Sequence, residues 1–167
     1  MGSSHDDRFR RLVREHSPEV ANYLRRRLYP LTAADLDDLV EETMLVVWRR
    51  LDDVPVDAER PWIIGVARNV LRNARRGQNR RRAFEASLAP SPNDPSAEEY
   101  VIADTSVREA LRALNDDDRE ILMLNAWDGL EAGELAITLA ITPNAAAVRL
   151  SRARTRFRDA FTNVEIS

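Results

Sequence analysis

The fold of this chain is decided by residues Pro61 to Arg82, which read P-W-I-I-G-V-A-R-N-V-L-R-N-A-R-R-G-Q-N-R-R-R. Apolar residues recur there every three or four positions, which is the spacing of one buried face on an amphipathic helix. Those residues are Trp62, Val66, Ala67, Val70, Leu71 and Ala74. Pro61 suits the first helical position, where its missing N–H leaves no hydrogen bond unmade. The pattern predicts one long helix with a single buried face.

The opposite face of this helix is basic throughout. Seven arginines and no acidic residue lie within these 22 residues. Solvated helix faces usually mix both signs of charge, so the pattern favours an anionic partner over solvent alone. Nucleic acid is the partner that such a surface predicts. The face carries Arg68, Asn69, Arg72, Asn73, Arg75 and Arg76, and the chain continues through Arg80, Arg81 and Arg82.

Composition narrows the classes of function. The chain has 167 residues, which is enough for one domain or two small ones, and it has no cysteine, which excludes disulfides and thiol catalysis. Its two histidines, His5 and His16, leave little for metal binding or general-base chemistry. We expect no metal and no cofactor. No apolar run is long enough to cross a membrane and no signal peptide is visible, so we expect a cytoplasmic protein.

Charge is unevenly distributed along the chain. All 25 basic residues are arginine, whose planar group donates paired hydrogen bonds to phosphates and base edges. The net charge is −3, yet residues 31–60 hold nine acids against three arginines, whereas residues 61–90 hold seven arginines against Glu85 alone. Neighbouring segments of charge −6 and +6 predict two partners of opposite sign.

Two further helices are expected before the basic one. Residues 7–27 have helical spacing interrupted at Ser17-Pro18, which predicts either two short helices or one helix with a break. The first five residues, Met-Gly-Ser-Ser-His, resemble an expression scar and carry no prediction of fold. A second helix begins at Ala34 or Asp35 and runs to about Leu51, with one apolar stripe and an acidic exposed side.

The second half of the chain predicts a helix-turn-helix. Three prolines between Ala89 and Ser96 indicate a flexible linker rather than a loop inside one domain. Asn115 and Thr142 are expected to cap helices, and Gly129 to take a left-handed conformation at the end of one. No strand pattern appears, so the fold class is all-α, with two small helical domains. The second helix of the motif exposes Asn144, Ala145, Ala147, Val148, Arg149, Ser151 and Arg152.

Three segments resemble bacterial sigma factors of the extracytoplasmic-function group, which is group 4 of the sigma-70 family. D-L-D-D-L-V-E-E-T-M-L-V-V-W, Asp35 to Trp48, is similar to the helix that binds core polymerase. R-P-W-I-I-G-V-A-R-N-V-L-R-N-A-R-R, Arg60 to Arg76, resembles the segment that recognises the promoter −10 element. Gly129 to Arg154 is similar to the helix-turn-helix that recognises the −35 element. The motifs stand in the family's order and spacing.

The resemblance implies a transcription initiation factor, not an enzyme, with a region 2 domain at 7–84, a linker at 85–105 and a region 4 domain at 106–162. Its implied partners are core RNA polymerase, through the beta-prime clamp and the beta flap, promoter DNA, and an anti-sigma factor. The polymerase contact falls on Asp38, Leu39, Glu41, Glu42 and Trp48. The resemblance assigns binding of the −10 strand to Arg68, Asn69, Arg72, Asn73, Arg75 and Arg76. It assigns binding of the −35 element to Asn144, Ala145, Ala147, Val148, Arg149, Ser151 and Arg152. Trp62 could stack on a base, but its place in the apolar stripe favours the core.

Two positions depart from the family's pattern. Ala140 stands where a glycine is usual in the turn, which is tolerable if that residue is not left-handed. Ala147 replaces a common lysine or arginine, so one phosphate contact is expected to be lost.

Two other classes of function compete with this interpretation. A dimeric helix-turn-helix repressor explains the second half but leaves the acidic helix and the basic helix without a role. A metal-dependent enzyme would use Asp37, Asp38, Glu41 and Glu42, with Asp38 and Glu42 placed to share a Mg²⁺ ion. No phosphate loop, nucleophile or histidine accompanies those carboxylates.

Overall fold

A computed structural model describes residues 2–87, 102 and 104–167 of the chain. Seven α-helices and no strand occur within those residues, which confirms the all-α prediction. The helices fall into two compact units, one within residues 1–95 and the other within residues 96–167. The predicted linker falls largely on 88–101, outside the described residues.

The first unit is a bundle of three helices, each packed on the other two. Helix α1 spans Gly2–Arg25, α2 spans Leu36–Arg49 after a short 3₁₀ turn, and α3 spans Glu59–Ala86. Their apolar stripes meet in one core, because residues three and four apart share a helix face. The largest fully buried side chains of that core are Leu12, Val20, Leu24, Val47, Ile63, Ile64 and Leu71.

Helix α1 is unbroken, so the break predicted at Ser17-Pro18 is wrong. Pro18 lies inside the helix and is exposed to solvent. A proline there removes one backbone hydrogen bond and crowds the preceding turn. Buried side chains lie on both sides of it, from Leu12 to Val20 and Leu24, so packing against α2 and α3 keeps the helix continuous. The helix also includes residues 2–5, and His5 lies 2.7 Å from Asp52.

An arginine–glutamate pair joins the middle of α1 to the N-terminal end of α3. Arg11 donates to both carboxylate oxygens of Glu59, at 2.8 and 3.1 Å. This bond holds the pKa of Glu59 below its usual range and raises the pKa of Arg11. Arg8 adds two donations, at 2.9 Å to the carbonyl of Leu51 and at 2.7 Å to that of Val54. The loop before α3 is therefore fixed from α1.

The second unit has four helices, and α7 packs on the other three. Helix α4 spans Thr105–Arg112, α5 spans Asp116–Ala126, α6 spans Ala132–Leu139 and α7 spans Pro143–Ile166. The caps expected from the sequence are confirmed. Asn115 accepts from the backbone N–H of Asp118 at 2.8 Å, and Thr142 accepts from that of Ala145 at 3.1 Å.

Both turns around α6 contain a residue with positive φ. Gly129 has φ 67°, as predicted, although α5 ends three residues earlier, at Ala126. Ala140 has φ 54° and ψ 47°, so it is left-handed. The sequence predicted that alanine would be tolerated here only if the residue were not left-handed, so this alanine carries a steric cost. Its N–H and that of Ile141 bond back to carbonyls at the end of α6, which holds this conformation.

Candidate nucleic-acid interface

Helix α2 presents an acidic surface. Asp38, Glu41 and Glu42 are all exposed, as the helical spacing predicted. Leu39 is only 4% exposed, because it lies in the stripe that packs into the core. Trp48 is also exposed, so four of the five residues assigned to a polymerase contact lie on the surface. The fifth, Leu39, packs α2 against the core.

An apolar groove lies beside this acidic surface, between α1 and α2. Trp48 is 42% exposed and meets Phe9 edge-on, with 5.0 Å between the ring centroids, while Leu45 is 45% exposed. The groove encloses about 730 Å³, and Asp37 and Glu41 are among its lining residues. The sequence indicated Trp48 but not Phe9 or Leu45, since their juxtaposition depends on how α1 crosses α2.

The basic face of α3 keeps most of its predicted residues at the surface. Asn69, Arg72, Asn73 and Arg76 are exposed, and Arg68 is half-buried. Arg72 and Arg76 are one helical turn apart, so their guanidinium groups lie on the same side. The exposed face continues through Arg80, Arg81 and Arg82, where the helix has no buried residue. This surface is suited to the backbone of an anionic polymer.

Arg75 differs from its neighbours on α3. Its guanidinium donates to the backbone carbonyls of Arg27 and Tyr29, the latter at 3.2 Å. These carbonyls follow the C-terminal end of α1, where no helical N–H remains to satisfy them. Arg75 thus anchors the chain between α1 and α2. That role was missed in the sequence, because its partners lie 46 and 48 residues away.

Trp62 is not a core residue. It is half-buried, and Arg50 lies over its ring at 5.2 Å from the centroid, while the core positions are taken by Ile63 and Ile64. The periodicity placed the core one residue too early at this end of the helix. The arginine covers one face of the ring, in a cation–π arrangement.

Helix α7 divides its faces as the sequence indicated. Ala146, Leu150 and Ala153 are buried against α4, α5 and α6. The half-buried Ala145 donates its backbone N–H to the cap at Thr142. The exposed residues of the first three turns include Asn144, Ala147, Val148, Arg149, Ser151 and Arg152. All seven residues assigned to duplex DNA are thus on, or at the edge of, one outward surface.

Two later arginines of α7 hold the unit together. Arg154 donates to the side-chain oxygen of Asn125 at 3.0 Å, and Arg156 donates to the buried Asp118 at 2.6 Å. Arg119, which is itself buried, donates to the carbonyls of Leu111 and Leu114 at the end of α4. Arg149 and Arg152, which lie earlier in α7, are exposed at the surface.

One cluster of acid and histidine side chains has spacing compatible with a cation. Glu15, His16 and Glu59 bring three ligand atoms within 4.8 Å of one another, and both ring nitrogens of His16 are buried without a hydrogen bond. Arg11 donates to the Glu15 and Glu59 carboxylates at 3.0 and 3.1 Å, so a guanidinium already lies among them. We interpret the cluster as an ion-pair network joining α1 to α3. Within the described residues, no helix combines the length and the apolarity that a membrane crossing requires.

Comparison with known proteins matches both units to domains of one family. The Sigma-70 region 2 model matches residues 12–81, and the Sigma-70 region 4 model matches residues 104–157. The RNA polymerase sigma factor CarQ of Myxococcus xanthus is 30% identical over 169 residues, covering 96% of this chain and 92% of CarQ. The ECF RNA polymerase sigma factor SigD of Mycobacterium tuberculosis is 32% identical over 152 residues, covering 85% of this chain and 71% of SigD.

A solved structure agrees with these sequence matches. The structure of CnrH, a sigma factor of Cupriavidus metallidurans, in complex with the cytosolic domain of CnrY matches with a TM-score of 0.61 and 25% identity. The match covers 93% of this chain and 88% of that one. It thus extends over both helical units.

Proposed function

Since this chain belongs to the extracytoplasmic-function group of the sigma-70 family of RNA polymerase sigma factors, we propose that three of its surfaces divide the work of initiation. As a sigma factor it is not an enzyme. It binds core RNA polymerase and recognises the −10 and −35 elements of a promoter. Our proposal concerns which residues perform each task.

The polymerase contact is assigned to α2. Its exposed Asp38, Glu41 and Glu42 need a basic partner, and the apolar groove around Trp48 supplies an area that can be buried on binding. Leu39 contributes by packing α2 against the bundle, not by touching the partner. The clamp of the beta-prime subunit is the partner that the family resemblance implies for this helix.

The melted −10 element is assigned to α3. Arg72 and Arg76 would hold phosphates of the separated strand, and the amides of Asn69 and Asn73 could bond to exposed base edges. Extruding a base from the duplex costs a few kcal/mol, so capture of the free strand helps to keep it open. Arg75 belongs to this surface as a positioning residue, because its guanidinium fixes the α1–α2 connection.

The −35 element is assigned to α7, whose first three turns would enter the major groove. Arg149 and Arg152 are exposed and would hold phosphates beside the helix, while Ala147 and Ser151 on the exposed face are short. We assign the domain limits accordingly: region 2 at 7–84, a linker at 85–105 and region 4 at 106–162. The beta flap would contact the second of these domains.

The cellular compartment of the protein follows from its partners. We propose that the protein acts in the cytoplasm, where promoter DNA and polymerase are found. We also propose an anti-sigma partner, because CnrH was solved with the cytosolic domain of CnrY bound. The acidic surface of α2 and the apolar groove between α1 and α2 are what such a protein would have to cover to block polymerase binding.

One observation carries the proposal: a single bundle holds an acidic exposed helix, α2, next to a basic exposed helix, α3. A repressor that binds duplex DNA as a dimer needs neither surface. The repressor alternative predicts tight binding to a palindrome by the free protein, without polymerase.

In vitro transcription tests the proposal. Core RNA polymerase, the purified chain and a library of random promoter sequences are combined, and the transcripts are sequenced. We expect specific start sites that depend on this chain. A Glu41→Arg, Glu42→Arg variant should abolish them by losing polymerase binding. Absence of any chain-dependent start, together with tight dimeric binding of duplex DNA, would contradict the proposal.

A further inference from the structure

The first turns of α7 carry one large exposed apolar side chain, Val148, on the face opposite the core. Buried Ala146, Leu150 and Ala153 define the inward direction of this helix. Val148 follows Ala146 by two residues, which at 3.6 residues per turn is about 200° around the helix. Val148 therefore points almost directly away from the core. Its side chain is 38% exposed, which makes it one of the few large apolar groups on the surface of this unit.

Polar residues surround this valine. Asn144 lies one turn before it, and Ser151 and Arg152 lie one turn after it, all exposed. Ala147 next to it is also exposed and short. The long side chains of Arg149 and Arg152 leave the helix about 100° and about 40° round from Val148, both on the same side of this outermost line. A helix with short residues at its outermost line and arginines beside it can lie close to the floor of a major groove.

The extent of this surface is limited by charge. Thr155 continues the outward line, but Asp159, one turn further on, is exposed on the same side. A carboxylate there would face phosphates and repel them. The outward line available to DNA therefore runs from Asn144 to Thr155, about 18 Å at 1.5 Å per residue, and Val148 lies within it, one turn from its N-terminal end.

We propose that Val148 determines specificity at the −35 element by packing against the 5-methyl group of a thymine. In the major groove, thymine is the base that presents a methyl group, and apolar side chains are the ones that contact it. An exposed valine among polar groups gains nothing from phosphates or from the polar edges of other bases. This inference rests on the proposed function of α7 as the helix that enters the −35 duplex.

The start of the helix supports this placement. The side chain of Thr142 accepts from the N–H of Ala145 at 3.1 Å, and Pro143 occupies the first turn. The capped turn fixes the direction in which the following residues leave the backbone, so Val148 is held in position without help from DNA. A rigid apolar contact of this kind discriminates by shape, because it loses little freedom on binding.

Deoxyuridine substitution tests the inference, because it removes the 5-methyl group and changes no hydrogen-bonding atom. Each thymine of a −35 element is replaced in turn, on a promoter obtained with this chain, and holoenzyme binding is measured. We expect one or two positions where binding falls about fourfold. That is the loss of about 0.8 kcal/mol for one buried methyl group, at 1.4 kcal/mol per tenfold.

Two variants identify the side chain that is responsible. Val148→Ala should bind thymine and uracil templates equally at the sensitive position, and alanine at an exposed helical site does not threaten folding. Arg149→Ala, the control, should weaken binding to both templates and keep the fourfold ratio between them. Thermal melting of both variants checks that the unit is intact.

The outcomes separate the inference from the proposed function. If promoters are found but no thymine in the −35 element is sensitive to uracil, or if Val148→Ala keeps the sensitivity, the inference is wrong and the proposed function stands. If no promoter depends on this chain at all, the proposed function itself fails.

Discussion

The two basic helices of this chain, α3 and α7, place their arginines differently with respect to the core. In α3, Arg76 follows the buried Ala67 by nine residues, which at 3.6 residues per turn is about 180° around the helix. Arg72, one turn earlier, is exposed on the same side. In α7 the outermost residue is Val148, and Arg149 and Arg152 lie about 100° and about 40° round from it, both on one side.

The two placements of arginine suit two forms of DNA, the duplex for α7 and the single strand for α3. A helix that enters a duplex groove must bring short side chains to the base edges while its arginines reach phosphates at the flanks. A helix that holds a single strand has no groove to enter, so charge and hydrogen-bonding groups belong at its most exposed line. The same residue type, arginine, thus serves different tasks according to its angle from the core.

The largest effect is expected from the outermost arginines of α3. Replacing both Arg72 and Arg76 by alanine removes two charge-assisted contacts, each of about 1.5 kcal/mol or more. Open-complex formation should fall at least about tenfold, while binding to core polymerase changes little. Permanganate footprinting of the −10 region measures the first quantity, and a fluorescence assay with labelled core polymerase measures the second.

The matched control for that variant is Arg149→Ala and Arg152→Ala on α7. This pair should weaken binding to closed promoter DNA but leave opening of a pre-melted template unchanged. Equal losses of polymerase binding and of strand opening in the α3 variant would contradict its assignment to the −10 strand.

The next effect separates two neighbouring arginines of α3. Arg75→Ala removes the donor to the carbonyls of Arg27 and Tyr29, whereas Arg76→Ala removes an exposed side chain. We expect Arg75→Ala to lower the free energy of unfolding of the first unit by about 2 kcal/mol and Arg76→Ala by less than about 0.5 kcal/mol. Urea unfolding, followed by tryptophan fluorescence in a Trp127→Phe background, measures both. Equal stability of the two variants would mean that Arg75 is not an anchor.

Local features of this fold were predictable from the sequence. The caps at Asn115 and Thr142 depend on residues three positions away, and the positive φ of Gly129 follows from the absence of a Cβ. Exposure of Glu41, Arg72 and Val148 follows from helical periodicity alone. The all-α class and the family required no more than this local information.

Long-range features were not predictable in the same way. Arg75 bonds to carbonyls more than forty residues away, and Trp62 is half-buried with Arg50 over its ring instead of lying in the core. Pro18 stays helical because core residues on both sides of it pack against other helices. Leu39 seemed a surface contact by resemblance, yet its stripe is buried. Each outcome depends on tertiary packing, which overrides local propensity.

The free energy of unfolding of the first unit is expected to depend on pH through Glu59. The pKa of Glu59 is lowered chiefly by the hydrogen bonds from Arg11, so its contribution to stability is present above the unfolded value of about 4.5 and is lost as pH falls below it. Glu59→Gln should cost the first unit about 1.5 kcal/mol at neutral pH and flatten the fall in its stability as pH drops below about 4.5. Urea midpoints across that range, again in a Trp127→Phe background, check both effects. A parallel decline in the variant and the parent would contradict this account.

The smallest effect concerns the left-handed turn before α7. Ala140→Gly removes the steric cost of φ 54° and should stabilise the second unit by about 1 kcal/mol. Ala147→Gly, at an exposed right-handed position of α7, should destabilise it by a similar amount. Urea unfolding reported by Trp127, in a background where Trp48 and Trp62 are phenylalanine, measures both. Loss of stability in both variants would show that Ala140 is not left-handed in solution.

A crossed binding measurement tests most directly whether α3 and α7 serve different forms of DNA. Holoenzymes carrying either Arg72→Ala with Arg76→Ala, or Arg149→Ala with Arg152→Ala, are each tested on a single-stranded −10 oligonucleotide and on a −35 duplex. The assignment of α3 to single-stranded DNA and of α7 to duplex DNA predicts that each double variant loses at least about tenfold in affinity for its own DNA and stays within about twofold on the other. Comparable losses on both DNAs for both variants would contradict it.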